Sequence, residues 1–260
     1  ASMIEPRMEE ILAAARRVFA ELAALEWSSA RVCDVGAGRG AFPKLVGEWL
    51  VREKRLDPRA HLFACDLIPA SFEYDGVDCA RTNADGTLPF PDAHFDATVS
   101  IEVVEHVEDQ FAFLRELVRV TKPGGRVIVT TPNVLNMNSR VRTFLTGFPA
   151  LFDPLPLATN DPRLLGGHIH PISPYFLAYD ALRAGLVRPR LLHDRTKSSA
   201  AALTVLAGPA LLAGRAWHTL RLRRKRPTLW TENKELLSAQ HGWRMLTSRT
   251  AVLVAEKPAR

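Results

Sequence analysis

Apolar residues recur at three- and four-residue spacing near the start of the chain, at Ile4, Met8, Ile11, Leu12, Ala15, Val18, Phe19 and Leu22, which predicts an amphipathic helix over 3–26. Arg31 to Val35 is then a short apolar run that meets glycines at once, as a strand entering a tight turn does. The next helical face carries Phe42, Leu45, Val46, Trp49 and Leu50, and Ala60 to Cys65 is expected to be a second strand ended by Asp66. Strand-like runs return at Val77–Thr82, Phe95–Ile101 and Arg126–Thr131. Between the last two, Phe111, Leu114, Leu117 and Val118 define a helix stopped by Lys122-Pro123-Gly124-Gly125. Strands that are apolar throughout and alternate with helices imply a doubly wound, mostly parallel α/β sheet covered on both faces.

The pattern breaks after Pro132. Residues 133–174 are rich in Asn, Pro and Gly and too long for a plain connection, so they are expected to form a substrate-facing lid. Residues 175–187 are again helical in pattern, 188–196 and 250–257 read as strands, and 197–245 form an insertion between those two strands. The whole of 1–260 is expected to be a single domain.

Composition adds limits. With 47% hydrophobic and 24% charged residues the chain has an ordinary globular balance, which excludes wholesale disorder and fibrous repeats. Its three cysteines, Cys33, Cys65 and Cys79, have no C-x-x-C spacing and read as small buried hydrophobes. The net charge of +6 is local, because Arg195 to Thr231 holds eight Lys or Arg and no acid. No apolar run of about 18 residues occurs and no apolar leader is visible, so a cytoplasmic location is expected. Residues 200–214 are charge-free but interrupted by Gly and Pro, and Arg215, Trp217, Arg221 and Arg223–Arg226 follow. That composition suits a segment lying in an anionic membrane surface at 200–226, and equally a helix packed on the core with a solvated basic end.

The turn Asp34-Val35-Gly36-Ala37-Gly38-Arg39-Gly40-Ala41 lets backbone approach a nucleotide closely. It satisfies a dinucleotide fingerprint, which on its own would point to an NAD-dependent oxidoreductase. Two features argue otherwise. A carboxylate at Asp34 would repel a pyrophosphate and suit an ammonium and a sulfonium, and Asp66 lies 28 residues beyond Gly38, where a dinucleotide site expects its ribose-binding acid about 20 on.

These motifs, with Asn83-Ala84-Asp85, Leu88-Pro89-Phe90-Pro91-Asp92, Phe95-Asp96 and Lys122-Pro123-Gly124-Gly125, resemble class I S-adenosylmethionine-dependent methyltransferases, near the ubiquinone-biosynthesis O-methyltransferases. The resemblance covers about residues 30–135. It implies a Rossmann-like sheet of seven strands and S-adenosylmethionine as cofactor. It also implies that Asp34, Gly36, Gly38 and Gly40 face the methionine part, Asp66 and Leu67 the ribose side, Asp85 and Gly86 the adenine edge, and that Glu102 touches the cofactor.

Glu102, Glu105 and His106 follow the Phe95–Ile101 strand at its carboxyl end, and on a helix they would share one face. With His168 from the lid they resemble the Glu-x-x-Glu-His set and distant His that hold a divalent ion in small-RNA 2′-O-methyltransferases, which would suit Mg or Mn. Without a metal, His106 assisted by Glu105 is the expected general base, because imidazole accepts protons near neutral pH. Arg140, Arg142, Lys197 and Tyr175 are candidates to meet an anionic acceptor. The expected activity is O-methylation of a small or lipid-linked hydroxyl compound. The rival reading is an RNA-modifying methyltransferase that uses the basic patch, although nucleic acid is less favoured because no recognisable RNA-binding module accompanies it.

Overall fold

A computed structural model describes residues 4–158 and 167–259. Helix α1 (Ile4–Leu22) precedes β1 (Val32–Val35), and α2 (Ala41–Trp49) leads through the short helix α3 (Pro58–His61) to β2 (Leu62–Asp66). Strands β3 (Cys79–Arg81) and β4 (Phe95–Ile101) follow, then α4 (Gln110–Val120) and β5 (Thr121–Pro132). The remainder is α5 (Met137–Thr146), α6 (Pro174–Arg183), β6 (Val187–His193), α7 (Ser198–Leu206), α8 (Gly208–Lys225), α9 (Pro227–Gln240), α10 (Trp243–Thr247) and β7 (Thr250–Glu256).

The seven strands form one sheet in the order β3-β2-β1-β4-β5-β7-β6. Strands β1 to β5 pair in parallel, and β7 runs antiparallel to both β5 and β6. The chain reverses its strand order between β1 and β4, so their carboxyl ends flank the crevice where open α/β sheets bind ligands. Because β7 is antiparallel, its amino end also reaches that crevice.

The continuous apolar strands are buried on both sides. Val32, Ala64, Val99 and Ile128 face a core shared with Val18 and Leu22 of α1 and Val46 of α2, whereas Cys33, Cys65, Phe95 and Val129 face Leu114 and Leu117 of α4. Burying each such aliphatic side chain contributes roughly 1.5–3 kcal/mol before entropy is set against it.

Several boundaries differ from the sequence expectation. Ala60 and His61 belong to α3 rather than to β2, because Pro58 opens a helical turn and the Asp57 carboxylate caps it at the Arg59 N–H. Lys122–Gly125 is not a separate turn but part of β5, where the β4–β5 register shifts between Phe95 and Ala97 and the bulge absorbs the two glycines. The 133–174 segment holds a ten-residue helix, α5, capped by Asn136, whose side chain accepts from Ser139 N–H. The 197–245 insertion is helical, as α7 to α10.

Candidate active site

The glycine turn follows β1 directly. Gly36 adopts φ +76°, and a Cβ there would collide with the Val103 side chain, so the position tolerates only glycine. Gly38 is also left-handed at φ +52°, but nothing lies within 4 Å of where its Cβ would be, so its backbone is open to a ligand. The turn is tied to β2, with Gly36 N–H donating to Cys65 O at 2.8 Å and Gly38 N–H to Asp66 Oδ2 at 2.8 Å.

Above this turn lies a cleft of about 770 Å³ whose walls include Asp34, Gly38, Glu102, Leu151, His168 and Arg249. Asp34 is 3% exposed and its Oδ1 has no hydrogen-bond partner among the described residues. Burial, reinforced by the nearby Asp66 charge, pushes its carboxyl up to about 8. A buried, unsatisfied acid at the mouth of a nucleotide-type turn is a poor host for pyrophosphate and a strong one for a cation. These features fit the amino-acid end of S-adenosylmethionine.

The other cofactor candidates sit beside the cleft rather than in its wall. Asp66 ends β2 and accepts from Gly38 and Ile68 N–H, both at 2.8 Å, while Leu67 next to it is exposed. Asp85 is exposed and accepts from the Thr87 N–H and hydroxyl, which lower its carboxyl; Gly86 follows at φ +82°. Thr82 N–H donates to Asp66 O, which brings the two acidic turns together at the ends of β2 and β3.

The Glu-Glu-His cluster is split. Glu102 leaves β4 with φ +56°, and a 3-10 turn over Val104–His106 follows instead of the helix assumed from sequence, so the three side chains do not share one helical face. Arg249 Nη1 lies 3.2 Å from Glu102 Oε2, and Arg249 Nη2 lies 2.8 Å from Glu10 Oε2 of α1. Burial raises the Glu102 carboxyl, and Arg249 opposes that shift. Glu105, His106 and His168 do converge, with ligand atoms within 4.8 Å of one another. Yet Glu105 is fully buried, and burial together with the Glu102 charge holds its carboxyl well above the usual range. The set that converges is one carboxylate and two imidazoles, poorer in oxygen than the shell magnesium prefers, because Glu102 is engaged by Arg249 instead.

His106 Nδ1 lies 3.0 Å from Gly167 O. A carbonyl only accepts, so Nδ1 carries a proton and donates to it. The His106 and His168 rings meet edge-to-face with centroids 4.7 Å apart, and it is His168 that lines the cleft, with His106 one ring behind. His168 Nε2 is 4.0 Å from Glu105 Oε1.

Two of the anion-binding candidates meet acids of the cleft wall, Lys197 at 3.8 Å from Glu10 and Arg142 in a pair with Asp153. Tyr175 donates to Asn233 at 2.9 Å, and Arg140 donates to Leu135 O at 2.8 Å. Sequence reasoning missed Glu10 and Arg249. A charge immediately before an apolar strand was the available signal for Arg249, but its meaning depends on β7 being antiparallel.

The fold is a Rossmann-like sheet with its crevice at the strand carboxyl ends. Residues 33–129 match the methyltransferase domain family. The chain is 34% identical over 121 residues to a probable S-adenosylmethionine-dependent methyltransferase of Mycolicibacterium smegmatis, covering 45% of this chain and 44% of that protein. It is 35% identical over 115 residues to the ubiquinone biosynthesis O-methyltransferase of Xylella fastidiosa, covering 41% and 43% respectively. The match thus spans less than half of either relative. A SAM-dependent methyltransferase from Archaeoglobus fulgidus shares the fold over 96% of this chain and 94% of its own, at TM-score 0.57 and 16% identity. Residues 33–129 thus match a methyltransferase domain, set in a fold that S-adenosylmethionine-dependent methyltransferases share.

Proposed function

We propose that the protein transfers a methyl group from S-adenosylmethionine to a hydroxyl oxygen of a small or lipid-linked compound. The observation that carries this reading is the Asp34 carboxylate, buried and unsatisfied beside the open Gly38 backbone in the cleft wall. When bound, the cofactor supplies a methyl on a sulfonium, open to in-line displacement by a nucleophile. The protein has to bind that cation, exclude water, orient the acceptor and take its proton. Asp34 neutralises the cationic end, and Asp66 and Asp85 offer carboxylates at the ends of β2 and β3 for ribose and adenine. Leu151, Pro154 and Leu155 give the opposite wall an apolar surface. His168 in the wall receives the acceptor proton, and His106, with its Nδ1–H fixed on Gly167 O, is a positioning residue for it. The similarity to a ubiquinone biosynthesis O-methyltransferase supports oxygen as the acceptor atom and a ring hydroxyl as its setting.

The test is incubation with a methyl-labelled donor and a panel of catechols and hydroxyquinols with and without prenyl tails. Label on a phenolic oxygen, lost in Asp34→Asn, supports the reading. Binding of NAD with no response to S-adenosylmethionine overturns it.

A further inference from the structure

Helices α5 and α7 pack side by side in the same direction. Asn138 near the start of one donates to Ser199 near the start of the other at 2.9 Å, and Val141 and Leu203 meet in one cluster further along. Their carboxyl ends therefore share a tip. That tip exposes Phe144 (89%), Leu145, Val205 and Leu206 (80%) to solvent. Side chains of this size left open together mark a contact surface rather than a scattered residue.

Helix α8 departs from α7 at 71°, so it lies nearly flat across the direction in which the tip points. Neither helix is long and apolar enough to cross a membrane alone. Among the described residues none of α8 is buried, and it is apolar on two opposite sides. Leu211, His218 and Leu222 fall on one side, partly covered, and α9 packs against α8 there with Trp230, Leu237 and His241 around His218. Leu212, Ala216, Trp217 and Leu220 recur at three- and four-residue spacing on the opposite side, all exposed. The same outward side ends in Arg223 and Arg224, with Arg221 stacked 5.4 Å from the Trp217 ring.

Helix α5 also holds one wall of the cleft. Ala150 N–H donates to Ser139 Oγ of α5 at 3.1 Å and Asp153 pairs with Arg142 of α5, which holds the segment bearing Leu151 and Leu155 against that helix. Leu151 and Leu155 line the cleft, and the exposed Leu157 follows.

We propose that the α5/α7 tip and the outward face of α8 dock on an anionic lipid bilayer, so that an acceptor dissolved in the membrane enters the cleft past Leu151 and Leu155. The second half of this statement rests on the methyltransferase reading, and the first does not. Apolar side chains enter the boundary between headgroups and chains, Trp217 sits at that boundary, and the basic end of α8 meets lipid phosphates. Charge selects the lipid surface over a second copy of the chain, which would set the same cations against each other.

The experiment is flotation of the full chain with phosphatidylcholine vesicles, with and without about one-third phosphatidylglycerol. Wild type should float with the anionic vesicles only, and less so as salt rises. Each basic residue near such a surface strengthens binding about fivefold, so replacing Arg221, Arg223, Arg224 and Lys225 by Ser together should weaken it on the order of 10²–10³-fold. Phe144→Ser with Leu206→Ser, both at exposed positions, should weaken vesicle binding while circular dichroism, melting and S-adenosylmethionine affinity in solution stay unchanged. Brominated lipid should quench fluorescence in wild type and much less in Trp217→Phe. The proposal is overturned by absent flotation, by flotation indifferent to the Phe144/Leu206 change, by RNA binding that the same four substitutions remove without vesicle binding, or by a dimer that Phe144→Ser dissociates. Cofactor titration in the absence of vesicles separates all of these from failure of the methyltransferase reading.

Discussion

Asp34→Asn keeps the shape of the side chain and removes its charge. The native carboxyl is pushed from 3.8 to about 8 by burial and by Asp66, so at pH 7 it is about nine-tenths protonated in the empty cleft. A cationic ligand needs the ionised form. Below pH 8, binding of S-adenosylmethionine must therefore release close to one proton, and affinity should rise about tenfold per pH unit from about 5.5 to 7.5, a gain of about 1.4 kcal/mol per unit. Stability moves the other way. A folded-state value raised above the unfolded one contributes stability that is complete below about 4 and lost as pH rises through about 8, so between pH 5 and 7 the empty wild type should lose about 3 kcal/mol that the Asn variant does not lose. The assay is calorimetric titration in two buffers of different protonation enthalpy, paired with urea unfolding of both proteins across the same pH range. The Asn variant should bind weakly with no pH slope and gain on wild type in stability as pH rises. Wild-type affinity that stays flat between pH 5.5 and 7.5, with no proton released, would refute the reasoning.

The remaining predictions concern the two histidines, the chelator and the buried arginine. His168→Ala should lower turnover about 10²-fold or more with cofactor affinity nearly unchanged, and His106→Ala should lower it less; equal cofactor loss in both would make them binding residues instead. Activity should survive a strong chelator to within about twofold, because Glu102 is held by Arg249 rather than aimed at His168; loss restored by manganese would count against this. Arg249→Met leaves Glu102 and Glu10 at the cleft without their shared cation and should destabilise the fold by about 3 kcal/mol above neutral pH, measured by urea unfolding, with less effect in acid, where the Glu102 carboxyl that burial raises takes up its proton.

The sheet was legible because its strands are apolar throughout and its turns carry unambiguous chemistry: the glycines after Val35 marked a tight turn, and Asp66 a strand end, from residue type and spacing alone. The position of the glycine turn beside Asp66 followed from the same local signals. The wall of the cleft around Arg249 did not. Glu10, Glu102 and Arg249 come from α1, the end of β4 and the start of β7, and only the antiparallel insertion of β7 between β5 and β6 brings them together. Helical spacing of Glu102, Glu105 and His106 was the wrong period for a chain that turns through a left-handed residue at Glu102. The outward stripe of α8 was equally hidden, since an apolar residue in sequence does not reveal whether it faces α9 or solvent.

The most direct test of the central claim is a crystal structure with S-adenosylhomocysteine. It should place the ligand's amino group within hydrogen-bond distance of the Asp34 carboxylate, its ribose hydroxyls on Asp66, and its sulfur facing the cleft wall that holds His168. A ligand bound elsewhere, or an Asp34 carboxylate that makes no contact with it, would contradict the account.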